Sequence, residues 1–194
     1  LQAYLTAIDH IATTMPYEEM LHSILLYRAM FNMVGSPSVS LTDPSGLVKS
    51  QAMQTPDNRV AFTLNSSQAS RTVSNKILDT YAGTGVNHIA FSTRDIFAMA
   101  EKLASLNVKT MPVTDNYYDD LATRFGLSSE QLSLMRRFNI LYDEDEHGVF
   151  YQLYSELFEG RFCFEIVQRD GYQGFGAPNS QIRMTMQAKE LESL

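Results

Sequence analysis

A chain of 194 residues, 44% hydrophobic and carrying a formal net charge of −7, can bury one good core or two small ones that share a sheet. Its 15 lysines and arginines form no basic run, which excludes a nucleic-acid binder that tracks the phosphate backbone, and no apolar stretch approaches the ~20 residues needed to cross a bilayer. One cysteine, Cys163, cannot close an internal disulfide, so the fold does not rely on oxidising conditions and, with no signal peptide visible, a cytoplasmic home is expected.

In chain order, Ile8-Asp9-His10-Ile11-Ala12 reads as a first strand. Pro16 and Glu18-Glu19 open a helix on which Met20, Leu21, Ile24, Leu25, Met30 and Phe31 recur at helical spacing. Strands are expected over Ser38–Thr42, Gly46–Gln54 and Arg59–Asn65, with turns at Asp43-Pro44-Ser45-Gly46 and Thr55-Pro56-Asp57-Asn58. The polar segment Ser66–Lys76 reads as an irregular connection into Ile77–Tyr81. Val86-Asn87-His88-Ile89-Ala90 then repeats the opening pattern of apolar-x-His-Ile-Ala, with His88 78 positions after His10. Asp95 can cap a helix carrying Ile96, Met99, Leu103 and Leu106. The second set of strands falls at Val108–Pro112, Asn139–Asp143, Val149–Ser155 and Phe162–Arg169, with Glu144–Gly148 as a polar hairpin turn. Tyr117–Phe125 and Ser128–Phe138 look like two inserted helices, and Ser180–Leu194 like a helix that covers the sheet.

Each half thus reads β-α-β-β-β. The fold class is α+β: one domain with a first module over 1–80 and a second over 81–194, the latter interrupted by the helical insertion 117–138, the two forming one cupped mixed sheet. Equivalent positions of paired modules converge, so His10 and His88 should point into one cavity. Glu165, alone in the apolar strand Phe162-Cys163-Phe164-Glu165-Ile166-Val167-Gln168, is costly to bury unless paired or ligating a metal. Two neutral imidazoles and one carboxylate make a facial triad suited to Fe(II), and one that also accepts Mn(II), Mg(II), Co(II) or Zn(II). A salt bridge from Glu165 to Arg161, Arg169 or Arg183 is the alternative. His22 rides a helix and His147 sits in the acidic turn, so both read as structural. Cys163 reads as a buried, inert thiol.

Gly85-Val86-Asn87-His88-Ile89-Ala90-Phe91, Tyr151-Gln152-Leu153-Tyr154, Phe164-Glu165-Ile166-Val167-Gln168-Arg169 and Gly174-Phe175-Gly176 together resemble the C-terminal domain of 4-hydroxyphenylpyruvate dioxygenases. Ile8-Asp9-His10, Asn116-Tyr117-Tyr118-Asp119-Asp120-Leu121 and Asn139-Ile140-Leu141-Tyr142-Asp143 fit the same family in order, so the match runs nearly the whole chain. The resemblance implies a vicinal oxygen chelate fold (glyoxalase/bleomycin resistance/dioxygenase), His10, His88 and Glu165 as ligands of one Fe(II), and oxygenation of a 2-oxo acid or aromatic acid bound at the metal, with homogentisate as the family's product. It also implies catalytic roles for Gln152 and Asn179, and substrate contacts from both together with Asn87, Ser180 and Met184. The family encloses the substrate ring with two phenylalanines where this chain has Ser180 and Met184. It has glutamine at Asn87, and serine and asparagine at Thr72 and Tyr81, while its Leu-Asn-Glu-Pro-like turn is reduced here to Leu64-Asn65-Ser66-Ser67.

That combination, with the ending Gly174-Phe175-Gly176-Ala177-Pro178-Asn179, looks most like the dioxygenase-like domain fused behind an isomerase-type barrel in bacterial 3-dehydroshikimate dehydratases. The start at Leu1 rather than Met agrees with a fragment that follows such a barrel. Two readings follow: a hydroxyphenylpyruvate-type dioxygenase, or a metal-binding accessory domain of a two-domain dehydratase. A homo-oligomer is expected in either case, with no nucleic-acid or membrane partner.

Overall fold

In the computed structural model, which describes residues 4–192, β1 (Leu5–Thr14) and β6 (Gly85–Thr93) pair antiparallel at the centre of a nine-stranded mixed sheet. Each has a parallel neighbour on its outer side, β5 (Ala61–Ser66) beside β1 and β9 (Cys163–Asp170) beside β6. Antiparallel strands continue outward: β4 (Gly46–Gln54) on β5, and β8 (Gly148–Tyr154) followed by β7 (Leu141–Asp145) on β9. The far edge of β4 is shared by β2 (Val34–Gly35) and β3 (Val39–Asp43). Pro37 between them has no N–H to give the ladder, so the edge strand breaks there. Ser36 spans the gap, its N–H donating to the Ala52 carbonyl at 2.9 Å and its hydroxyl accepting from the Ala52 N–H at 3.1 Å.

Strand register decides which side chains meet. His10 lies opposite Ala90, Ala90 opposite Glu165, and Glu165 opposite Tyr154, so four strands place these residues in one row on one face. His88 lies opposite Ala12, two residues from Ala90, and therefore projects from the same face. Ala12 in turn lies opposite Thr63 of β5.

The other face carries the main core. There α3 (Ile96–Ser105), α4 (Asp115–Arg124) and α5 (Ser129–Phe138) bury Ile96, Met99, Tyr118, Leu121 and Met135 with Leu153 and Ile166 of the sheet. In the first half, Met20 of α1 (Tyr17–Phe31) packs with Met15, Met33, Met53 and Leu64. On the histidine face lies α6 (Ser180–Glu192), entered through a short 3-10 turn over Ala177–Asn179. Its Met184 packs on Leu41 and Val48, and its Gln187 amide reaches the Cys163 sulfur at 3.8 Å. No helix among the described residues is long and apolar enough to cross a membrane.

Two local expectations change. Val108–Pro112 makes one bridge, Thr110 to Ser155, and not a strand; Met111 still donates to the Tyr154 carbonyl at 2.9 Å, but Pro112 has no N–H with which to extend the pairing. The segment expected to be irregular up to Lys76 turns helical at Val73, giving α2 (Val73–Tyr81). The Thr72 hydroxyl accepts from the Asn75 N–H at 3.4 Å, and the Asp43 carboxylate, thirty residues earlier, accepts from the Val73 N–H at 2.9 Å. The tail helix runs to Glu192, and the expected last two residues lie outside the described ones.

Candidate metal centre

Three buried side chains from the three central strands meet. Nε2 of His10 is 3.3 Å and Nε2 of His88 3.2 Å from Oε2 of Glu165, with Glu165 wholly buried. Behind each ring the other nitrogen is engaged: Nδ1 of His10 lies 2.8 Å from Oδ1 of Asp9, and Nδ1 of His88 lies 2.7 Å from Oδ1 of Asn87. Both partners are oxygen acceptors, so both Nδ1 atoms carry the proton, and each Nε2 turns its lone pair toward Glu165. The Oε1 side of that carboxylate is already satisfied by the Gln152 amide at 2.9 Å and the Tyr154 hydroxyl at 2.7 Å. No hydroxyl, amide or backbone N–H reaches the buried Oε2.

Three buried lone pairs aimed at one point repel one another unless a cation sits among them. Separations of 3.2 and 3.3 Å are close to the ~3 Å expected between neighbouring ligands that each lie ~2.1 Å from a shared metal ion. Where no ion is bound, a proton takes that place. Burial lowers the basicity of both imidazoles; at His10 the hydrogen bonds and charges of Asp9 and Glu165 outweigh it and hold the ring at about 9. His88, backed by the neutral Asn87 amide, falls to about 4. Burial would raise Glu165, but the two imidazoles hold it well below the carboxylate range. By their spacing and donor atoms, the residues present fit a metal ion.

A second tier of groups fixes these three side chains. Asp9 is held by Arg169, whose Nε and Nη2 donate to its two oxygens at 3.1 and 2.9 Å. The same guanidinium donates to the carbonyls of Tyr172 and Gly174. Burial first, and then the Glu165 charge, keep the Tyr154 hydroxyl protonated as a donor. On the Gln152 side, its Oε1 accepts from the Asn179 amide at 2.9 Å, and Asn179 accepts from the Tyr117 hydroxyl at 2.9 Å. Tyr117 belongs to the inserted helix α4, so the insertion is wired to Glu165. Gly176 lets this chain of bonds form: its φ is +64°, and a Cβ there would lie 2.3 Å from Oε1 of Gln152.

The Nε2 side opens on a cavity of about 300 Å³ between the sheet and α6. His10, His88, Tyr154, Phe175, Ser180 and Arg183 are in its wall, and the Phe175 ring stands edge-on to His10 at 5.1 Å. Of the residues singled out in the sequence, His10, His88 and Glu165 come together and Ser180 faces the cavity. Gln152, Asn179 and Asn87 are buried behind these three, bonded to Glu165, Gln152 and His88 respectively. Met184 lies off the cavity wall, turned instead onto Leu41 and Val48. None of the arginines weighed as partners of Glu165 reaches it: Arg169 pairs with Asp9, Arg161 with Glu159, and Arg183 bonds Gln187. Sequence reasoning missed the work of Asp9, Arg169 and Tyr154. The first of these stands directly before a repeated histidine, which was the available signal.

The profile of the Glyoxalase/Bleomycin resistance protein/Dioxygenase superfamily matches residues 7–149. The chain belongs to this superfamily. Within the superfamily it is 40% identical over 187 residues to a 3-dehydroshikimate dehydratase of Pseudomonas aeruginosa, covering 95% of this chain and 30% of that protein. It is 31% identical over 180 residues to a 4-hydroxyphenylpyruvate dioxygenase of Legionella pneumophila, covering 91% of this chain and 52% of the relative. A solved xylose isomerase-like TIM barrel/4-hydroxyphenylpyruvate dioxygenase fusion protein matches with a TM-score of 0.80 and 34% identity, over 97% of this chain and 30% of that one. The chain thus spans about a third to a half of the length of these superfamily relatives, and its curled mixed sheet with a C-terminal helix is the fold that they share.

Proposed function

We propose that this chain is a 4-hydroxyphenylpyruvate dioxygenase-type metal domain that holds one divalent ion, Fe(II) by preference, on His10, His88 and Glu165 and takes a small 2-oxo acid into the adjoining cavity. The observation that carries this reading is the convergence of two imidazole lone pairs and one unbonded carboxylate oxygen at the edge of that cavity. Ferrous iron bound there would supply a centre with open positions at which an oxo acid and dioxygen react. The chain's own part is positioning. Asp9 and Asn87 hold the rings in the ligating tautomer, and Gln152 and Tyr154 hold Oε1 so that Oε2 faces the ion. In this reading Asn179 acts through Gln152, Ser180 meets the ligand, and α6 with Phe175 keeps water out.

A second reading is favoured by a separate observation. The 40% identity covers 95% of this chain but only 30% of a 3-dehydroshikimate dehydratase, and the two positions that enclose an aromatic ring in the dioxygenase resemblance hold Ser180 and Met184. In that reading the domain binds metal and supports a catalytic barrel elsewhere in a longer protein. Oxygen uptake by the anaerobically Fe(II)-reconstituted chain separates the two, with 4-hydroxyphenylpyruvate tried first and other 2-oxo acids after it. Stoichiometric consumption with an oxygenated product establishes the dioxygenase. Stoichiometric iron binding without uptake on any of them gives the accessory domain, and failure to bind iron overturns both readings.

A further inference from the structure

Arg183 is an odd residue to find where it lies. It is 8% exposed, stands in the cavity wall with His10 and His88, and pairs with no carboxylate among the described residues. One of its five N–H donors is used, by Oε1 of Gln187 one turn along the same helix at 2.8 Å. Its guanidinium carbon is 5.9 Å from the centre of the Tyr154 ring, which stands edge-on to the His88 ring at 5.8 Å. A guanidinium cannot shed its proton to escape burial, and an uncompensated buried cation is costly.

No carboxylate in the wall offsets it. Among the described residues no aspartate or glutamate lines the cavity, and Arg183 is the only arginine or lysine that does. Deeper down, Asp9 is neutralised by Arg169. With both imidazoles neutral and a divalent ion on the triad, Glu165 offsets one of the ion's two charges. The other remains, and Arg183 adds its own. Two positive charges then face one enclosed space, and a monoanion answers only one of them.

The geometry points to a ligand with two anionic ends: a small 2-oxo acid whose oxo-carboxylate end meets the metal while a second carboxylate, or comparable anion, is read by Arg183. This rests on the proposed metal centre and names its substrate class. It also gives partners to the hydroxyl and amide groups of Ser36, Ser50, Gln51, Thr63 and Ser180, which stand among apolar residues in the cavity wall.

The test is calorimetric binding to the Co(II)-loaded chain without oxygen, metal content being measured first. Two probes of equal length are compared: 2-oxoglutarate, which ends in a carboxylate, and 2-oxovalerate, which ends in a methyl group. The dicarboxylate is expected to bind about tenfold tighter or more, the scale of a charge-assisted hydrogen bond in a desolvated pocket. Arg183→Met should erase the preference by weakening the dicarboxylate alone, and Arg183→Lys should keep part of it; unchanged cobalt content in both variants shows that the site still folds. Equal binding of the two probes, a preference that survives Arg183→Met, or no binding of either by cobalt-loaded protein overturns the inference while leaving the metal centre standing. A chain that takes up no metal overturns the centre and the inference together.

Discussion

Ala90 has no reactive group, yet it sits in the row between His10 and Glu165 and is wholly buried. Its methyl group stands between the two strands that carry the converging atoms and is packed against Phe150, Val167 and Tyr172, so a larger side chain would press on both. Ala90→Leu should therefore lower metal affinity by about tenfold or more, as displacement of the groups around a ligand does, and cost about 1–3 kcal/mol by overpacking. Competition with a chromogenic chelator reads the first and urea unfolding the second; full metal affinity would mean that the space is not the ion's. The convergence of these three side chains was legible because His10 and His88 repeat and because Glu165 is a charge in an apolar strand. The roles of Asp9 and Asn87 behind the rings were not, since neighbours along a strand point to opposite faces and a side chain reaching round to the next ring is not what periodicity describes. Arg183 appeared in the sequence only as one of three cations that could reach Glu165, and the weakly patterned tail helix does not say which way it turns.

At the scale of elements, strands and amphipathic helices were readable from alternation, turn residues and helical spacing. What escaped were features set by distant partners. The start of α2 depends on Asp43 accepting from Val73 as well as on Thr72, and Val108–Pro112 finds a single bridge across the fold, Thr110 to Ser155. The inserted α5 is capped entirely by its own sequence: the Ser128 hydroxyl accepts from the Gln131 N–H at 3.2 Å, and the Gln131 side chain accepts from the Ser128 N–H at 3.2 Å. Ser128→Ala should cost about 1 kcal/mol and lower the midpoint of thermal unfolding by about 2–4 °C, while metal affinity, which the insertion touches through Tyr117 of α4, stays as it was. A loss of metal affinity equal to that of a ligand variant would show that the two inserted helices act as one unit.

For the molecule as a whole, the tie between the halves is ionic as well as hydrogen-bonded. Asp9 of β1 and Arg169 of β9 are 160 residues apart in sequence and 2.9 Å apart in space. Arg169→Met would strand the Asp9 carboxylate in a largely buried place and free the carbonyls of Tyr172 and Gly174. The expected loss is about 3 kcal/mol of stability, and the double variant Asp9→Asn with Arg169→Met should recover part of it. Chemical unfolding of the four proteins of that cycle gives the coupling, and additive losses would reduce the pair to a surface contact. None of this pairing follows from composition or local pattern, because only the parallel placement of β9 beside β6 brings Arg169 within reach of β1.

The matched registers of the two halves carry one more consequence. His10 corresponds to His88 and Ala12 to Ala90; across the parallel pair Ala90 faces Glu165, and across the corresponding pair Ala12 faces Thr63. Thr63 therefore occupies the corner at which a faithfully duplicated molecule would present a fourth donor of the same kind as Glu165. Its short side chain lines the cavity instead. A duplicate true at all four corners would make a closed cage, whereas one imperfect copy leaves a socket that a guest can complete.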